Sequence, residues 1–117
     1  MKLGVCSHFS AAHKLPKHAG KCKQLHGHTY KVEIVVEGEK DKETECIVDF
    51  GEVKALLDEV LEHLDHKYLN DVISYPTSEN IAEFIWEELE GKMEGIGVKL
   101  KSVKVWEGEG KWVMLEK

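Results

Sequence analysis

Arginine is absent from the 117 residues, proline occurs twice and cysteine three times. No apolar run approaches the roughly 18–20 residues that a membrane-spanning helix needs, so no membrane partner is expected. The start, MKLGVCSHFSAAH, has no uninterrupted apolar core ahead of a cleavage site, and no signal peptide is read there. Cys6, Cys22 and Cys46 are an odd set at unrelated spacings. That argues against a disulfide framework and makes a reducing cytoplasm the expected setting. Acids are missing from residues 1–32, which hold six lysines; residues 33–117 hold ten lysines and all 22 acids, a formal −12. Lys14, Lys17, Lys21 and Lys23 crowd one stretch. They make either a plain solvated loop or a local positive field suited to a small polyanion. Nucleic acid is not an expected partner, because the rest of the chain repels phosphate and no arginine is present to grip it.

What is present reads as one α+β domain over residues 1–117, a length sufficient to bury a core without covalent staples. Residues 2–13 read as a strand and residues 14–25, rich in Lys, Gly and His, as a loop. Tyr30, Val32, Ile34 and Val36 alternate with polar neighbours, which predicts a second strand. Residues 38–45 form a charged turn, and extended chain resumes over Cys46–Val48. Asp49 or Gly51 opens a helix with Val53, Leu56, Leu57, Val60, Leu61 and Leu64 on one face. In YPTSEN, Pro76 stops what precedes and Thr77 or Ser78 caps a second helix. Ile81, Ala82, Ile85, Trp86, Leu89 and Met93 form its core stripe, and Gly95 and Gly97 end it. Two strands, 98–106 and 111–116, close the chain around the tight EGEG. The order β-β-α-α-β-β predicts a four-stranded antiparallel sheet with both helices on one face. The other face is left to be covered by oligomerisation. Cys6 and Cys46 read as small buried strand residues.

Chemistry concentrates in CKQLHGHTYK, residues 22–31. Alternate strand residues share a face, so His26 and His28 point the same way. Gly27 between them allows a bend or a close approach. His13 ends the preceding strand, and a twelve-residue loop returns the chain antiparallel beside it. Three neutral imidazoles with an open fourth position describe a catalytic zinc site; two surface histidines near a turn are the plainer alternative. Cys22 is either a fourth ligand closing a structural site, or a free thiol whose pKa the adjacent positive charge lowers from about 8.5. Asp65 and His66 stand at the end of a helix, where a carboxylate can orient an imidazole. A helix-terminal His with an exposed Asp would look the same. Glu107 meets a Gly-rich turn, with Glu109 as its rival.

FSAAHKL, CKQLHGHTYKV, LDHKYLN, PTSENIAEFIW and VWEG occur in this order and spacing. Together they resemble the 6-pyruvoyltetrahydropterin synthase family over nearly the whole chain, most closely its 6-carboxytetrahydropterin synthase branch. The resemblance implies the T-fold, with trimers stacked into a homohexamer whose strands form a barrel. It implies Zn2+ held by His13, His26 and His28, with Cys22 as catalytic base rather than ligand. Asp65 and His66 would activate that cysteine from a neighbouring subunit, and Glu107 would anchor the pterin ring. The implied substrate is 7,8-dihydroneopterin triphosphate, whose triphosphate leaves by elimination. The three-residue gap between Cys22 and His26, and Lys23 beside the cysteine, resemble the branch that makes 6-carboxytetrahydropterin. Triphosphate elimination to 6-pyruvoyltetrahydropterin, side-chain cleavage to a hydroxymethylpterin and a catalytically silent pterin- or metal-binding module are the other readings. The silent module would need no Cys22, Asp65 or His66.

Overall fold

Alternation in the first two strands sets the frame. The structure, a computed structural model, describes residues 1–17, 20 and 23–117. Strands β1 (Lys2–His13) and β2 (His26–Glu37) have twelve residues each and pair antiparallel along their full length, from Lys2↔Glu37 to His13↔His26. Helix α1 (Phe50–Leu61) and helix α2 (Ser78–Gly95) follow, separated by a connection that holds one short 3-10 turn at Leu69–Asp71. Strands β3 (Lys99–Glu107) and β4 (Trp112–Glu116) complete an antiparallel sheet in the order β1-β2-β3-β4. This is the expected β-β-α-α-β-β architecture.

Both helix starts are side-chain capped. The Asp49 carboxylate accepts from Gly51 N–H at 2.8 Å, and the Thr77 hydroxyl accepts from Asn80 N–H at 3.1 Å. Helix α1 lies against β1, and α2 against β3 and β4, with the helices touching each other. They bury Val53, Leu57, Val60, Ile81, Ile85, Trp86, Leu89 and Met93 on Tyr30, Val32, Ile34, Val36, Val103 and Val105. Each such side chain contributes about 1.5–3 kcal/mol relative to leaving it in water. The opposite sheet face stays open: Trp112 and Met114 are exposed, and Lys104 Nζ lies 4.0 Å from the Trp112 ring centre.

Several local expectations differ from the structure. Cys46–Val48 is a series of bends rather than extended chain; the turn before it, in which Asp41 accepts from Glu43 and Thr44 N–H, closes on it where Asp41 N–H donates to the Cys46 carbonyl at 2.8 Å. Cys6 and Cys46 are exposed, not buried. Cys6 falls at an even position of β1, and the even positions Lys2 to His8 face away from the helices. Leu64 is buried as expected, but α1 ends at Leu61, so Leu64 sits in the following turn. Gly27 has open space: an added Cβ would meet only Ala11 O at 3.5 Å, an ordinary contact.

Ile34, fully buried on β2 under the helices, gives a direct measure of this packing. Ile34→Ala is expected to cost about 2–5 kcal/mol in urea unfolding, with the midpoint falling and the slope unchanged. Cys6→Ser, on the open face, is expected to stay within about 0.5 kcal/mol.

Candidate metal centre

Register does the first work. His13 pairs with His26, and Ala11 with His28, so all three rings lie at one end of the sheet on the helix-covered face. His13 is fully buried and the other two are half-buried. Ring centres are 4.5 Å apart for His13–His26, 4.7 Å for His26–His28 and 5.3 Å for His13–His28. Each ring offers one nitrogen to a group whose atoms lie within 4.8 Å of one another.

The tautomers follow from the backbone. His13 Nδ1 is 2.7 Å from the Pro76 carbonyl, and His26 Nδ1 is 2.7 Å from the Gln24 carbonyl. A carbonyl only accepts, so each Nδ1 carries the hydrogen and each Nε2 the lone pair. Those two Nε2 atoms are 2.9 Å apart. Two lone pairs at that distance repel unless a cation lies between them. Burial is the largest influence on His13 and lowers its pKa, which disfavours a proton in that role. His28 Nε2 is buried without a hydrogen-bond partner among the described residues: Glu107 Oε1 is 3.2 Å away but poorly aligned. Burial also lowers the His28 pKa. Three imidazoles with converging ring nitrogens fit a divalent metal ion, and backbone carbonyls orient two of them from behind.

Glu107 belongs to this end of the sheet because β3 pairs it with Tyr30, two residues beyond His28. Its Oε2 accepts from the Ser78 hydroxyl at 2.7 Å, and Lys111 Nζ lies 3.7 Å from Oε1. Burial works against its charge, but the Ser78 hydrogen bond, His28 and Lys111 outweigh it and hold the carboxyl below its ordinary pKa. Glu107, Ser78, Thr77, Leu15, Lys111 and Trp112 line a recess of about 440 Å³. Glu109, its rival, lies beyond β3 in the exposed turn.

Asp65 and His66 are adjacent as expected but not on a helix end; they lie past α1 in a turn. His66 has φ +57°, the left-handed region that costs a non-glycine residue roughly 1–3 kcal/mol. Its N–H donates to Ser10 O at 2.6 Å, and Ser10 N–H donates to Asp65 Oδ1 at 2.9 Å, so the turn is docked on the β1 edge. His66 Nδ1 is 2.9 Å from Asp65 Oδ2, and the His66 side chain is 83% exposed. The Ser10 N–H, then His66, hold the Asp65 carboxyl below its ordinary pKa. His66, Lys67, Tyr68, Lys14 and Leu25 line a second recess of about 560 Å³. Among the described residues, none that lines it also lines the Glu107 recess. Cys22 and Lys21 lie outside the described residues.

The sequence does not reveal Ser78 as a partner of Glu107, shows Pro76 only as a break before α2, and gives Asn70 and Tyr75 no role. Ser78 was visible only as a possible cap. A backbone carbonyl such as that of Pro76 leaves no residue-type signal at all.

Known proteins share this sequence and fold. A 6-carboxy-5,6,7,8-tetrahydropterin synthase of Synechocystis is 46% identical over 89 residues, spanning 70% of this chain and 69% of that protein. A dihydroneopterin monophosphate aldolase of Pyrococcus furiosus is 42% identical over 108 residues, spanning 92% and 90%. The solved 6-pyruvoyl tetrahydropterin synthase of Caenorhabditis elegans superposes with TM-score 0.86 at 25% identity, covering 100% of this chain and 95% of that one. The family model described as 6-pyruvoyl tetrahydropterin synthase matches residues 2–117, and the chain belongs to that family.

Proposed function

We propose that this chain is a zinc-dependent lyase that converts 7,8-dihydroneopterin triphosphate and water to 6-carboxy-5,6,7,8-tetrahydropterin, releasing triphosphate and the two outer side-chain carbons as acetaldehyde. Family membership supports tetrahydropterin synthase-type chemistry, and the relative at 46% identity supports the carboxy product. The observation that carries the reading is the pair of imidazole lone pairs 2.9 Å apart, beside an ionised Glu107. A bound zinc ion on His13, His26 and His28 supplies Lewis acidity toward side-chain oxygens of the substrate.

The chain's own residues do the rest. Glu107, held by the Ser78 hydroxyl, accepts two N–H bonds from the aminopyrimidinone edge and sets the ring's orientation. Cys22, as thiolate, removes a carbon-bound proton from the side chain. Asp65 orients His66, which takes the proton on from the thiol. Lysines of the β1–β2 connection, Lys14, Lys17, Lys21 and Lys23, hold the triphosphate until it leaves. No redox cofactor is needed where hydrogens shift within the substrate.

Separation of the two recesses in one chain favours Asp65 and His66 serving a neighbour's site. The assembly in this reading is a homohexamer of one-domain chains, a dimer of trimers, whose strands close a barrel and cover the open sheet face. Sedimentation is expected to give a hexamer at micromolar concentration; a monomer there removes the in-trans role. No helix among the described residues is long and apolar enough to cross a membrane, and cytoplasmic placement belongs to this proposal. A second reading has its own support: the aldolase relative is 42% identical over 92% of the chain, which keeps side-chain cleavage of a phosphorylated dihydroneopterin in play.

Metal analysis is expected to find one zinc per chain. His13→Ala and His26→Ala should each lose it, whereas Cys22→Ala should keep it. A zinc–sulfur signature in X-ray absorption would instead make Cys22 a ligand.

Mass spectrometry of products from dihydroneopterin triphosphate, and separately from the monophosphate, decides between the two activities. 6-Carboxytetrahydropterin is expected; a hydroxymethylpterin from the monophosphate would establish the aldolase reading. Cys22→Ala is expected to lower turnover about 10²–10⁴-fold, His66→Ala by a similar factor, and the double variant by little more. Full activity in Cys22→Ala would place the base elsewhere.

A further inference from the structure

Beyond His13 the β1–β2 ladder ends, yet the chain leaving β1 is held at consecutive points by the connection between the helices. Asn70, half-buried at the 3-10 turn, uses both ends of its carboxamide on one residue. Its Oδ1 accepts Lys14 N–H at 2.9 Å, and its Nδ2 donates to the Lys14 carbonyl at 2.9 Å. A planar group with one acceptor and one donor face imitates a neighbouring strand, and only an amide side chain presents both. Next, the Pro76 carbonyl takes the His13 Nδ1 hydrogen at 2.7 Å. Then the Tyr75 hydroxyl accepts Lys17 N–H at 3.1 Å, with Lys17 Nζ 5.2 Å from the Tyr75 ring centre. The Tyr75–Pro76 backbone is itself fixed, since Asn80 Nδ2 donates to the Tyr75 carbonyl at 2.7 Å from the first turn of α2.

We propose that Asn70, seconded by Tyr75, is a positioning residue: it fixes the backbone on the C-terminal side of His13 and sets the direction in which the β1–β2 connection leaves the metal centre. This rests on the reading above, in which that connection carries the base and the phosphate-binding lysines. The clamp grips only backbone, so it acts whatever side chain stands at position 14. Its effect falls on geometry more than on stability, because Lys14 is exposed and its polar groups can turn to water when released. Groups that orient metal ligands and catalytic segments from behind commonly matter to rate without touching substrate. A merely structural clamp would instead lower the melting temperature and leave turnover of the folded protein unchanged.

The full-length, zinc-loaded protein and three variants test this: Asn70→Leu, which keeps the volume and removes both bonds; Asn70→Asp, which keeps only the acceptor; and Tyr75→Phe, which loses only the Lys17 anchor. Amide hydrogen exchange over residues 10–17, zinc content, and kcat and KM for dihydroneopterin triphosphate are measured on each. Asn70→Leu is expected to exchange faster at residues 14–17, to retain zinc, and to lose about 10- to 100-fold in kcat with KM changed less than about threefold. Asn70→Asp and Tyr75→Phe should fall between it and the native protein, and they carry the test should Asn70→Leu fail to fold. Unchanged exchange overturns the proposal. So does kcat within about twofold of native in a variant that exchanges faster, or activity that falls only in proportion to zinc lost. If the native protein turns over neither pterin phosphate, the functional reading fails on its own; exchange and zinc content of the same variants then still decide whether Asn70 orders the chain at the metal centre.

Discussion

Everything at the candidate centre depends on the register of β1 against β2. With His13 opposite His26 and Ala11 opposite His28, three rings share one face at one end of the sheet. A slip of one residue would send His26 and His28 to the open face and bury Gly27 and Thr29 instead. The rest of the ladder forbids that slip. Phe9 and Tyr30, paired across the strands, stack with ring centres 4.7 Å apart, and Val32, Ile34 and Val36 are fully covered by the helices. The irregularity in strand pairing, between Val35 and Val36, sits at the far end of β2 from the histidines. The packing that stabilises the domain therefore also sets the geometry of the histidine cluster.

The connection between the helices does as much for the site as the sheet does. Residues 65–68 dock on the β1 edge, where Ala12 N–H donates to Lys67 O at 3.1 Å, and they present Asp65 and His66 there. Farther along, Asn70, Tyr75 and Pro76 hold the chain that leaves β1, and Ser78 reaches Glu107 from the start of α2. One stretch thus touches both recesses. The left-handed backbone at His66 is tolerated because its N–H and the preceding carboxylate both find partners on Ser10.

Legibility in the sequence tracked the range of the interactions. Periodicity gave both long strands, and Asp49 and Thr77 announced their helices through side-chain caps. The histidine cluster was legible because H-x-H on a strand and one histidine across a hairpin need only antiparallel pairing. Burial of Cys6 was misjudged because residue type says nothing about which face of β1 the helices cover. Cys46–Val48 has strand-like composition, but it bends where the preceding turn closes through Asp41 N–H on the Cys46 carbonyl, a backbone contact that leaves no mark in the sequence. Asp65 and His66 were placed on a helix end because nothing in LDHKY shows that α1 stops at Leu61. Neither the Asn70 amide on Lys14 nor the Pro76 carbonyl on His13 could be read, since both use backbone groups that every residue carries.

Relatives named for different activities stand at 46% and 42% identity, over 70% and 92% of the chain, so a shared fold does not discriminate between them. The buried register that holds three histidines constrains where a cation and a ring can sit. It does not reach the exposed lysines that follow β1, whose spacing, in the proposed function, has to match the number of phosphates and the length of the side chain beyond the ring. Lys14 and Lys17 are exposed, but their backbones are tied to Asn70 and Tyr75. Their charges therefore start from fixed points on flexible stems. Such an arrangement lets the positive field change by substitution at the surface while the clamped backbone and the buried cluster stay as they are.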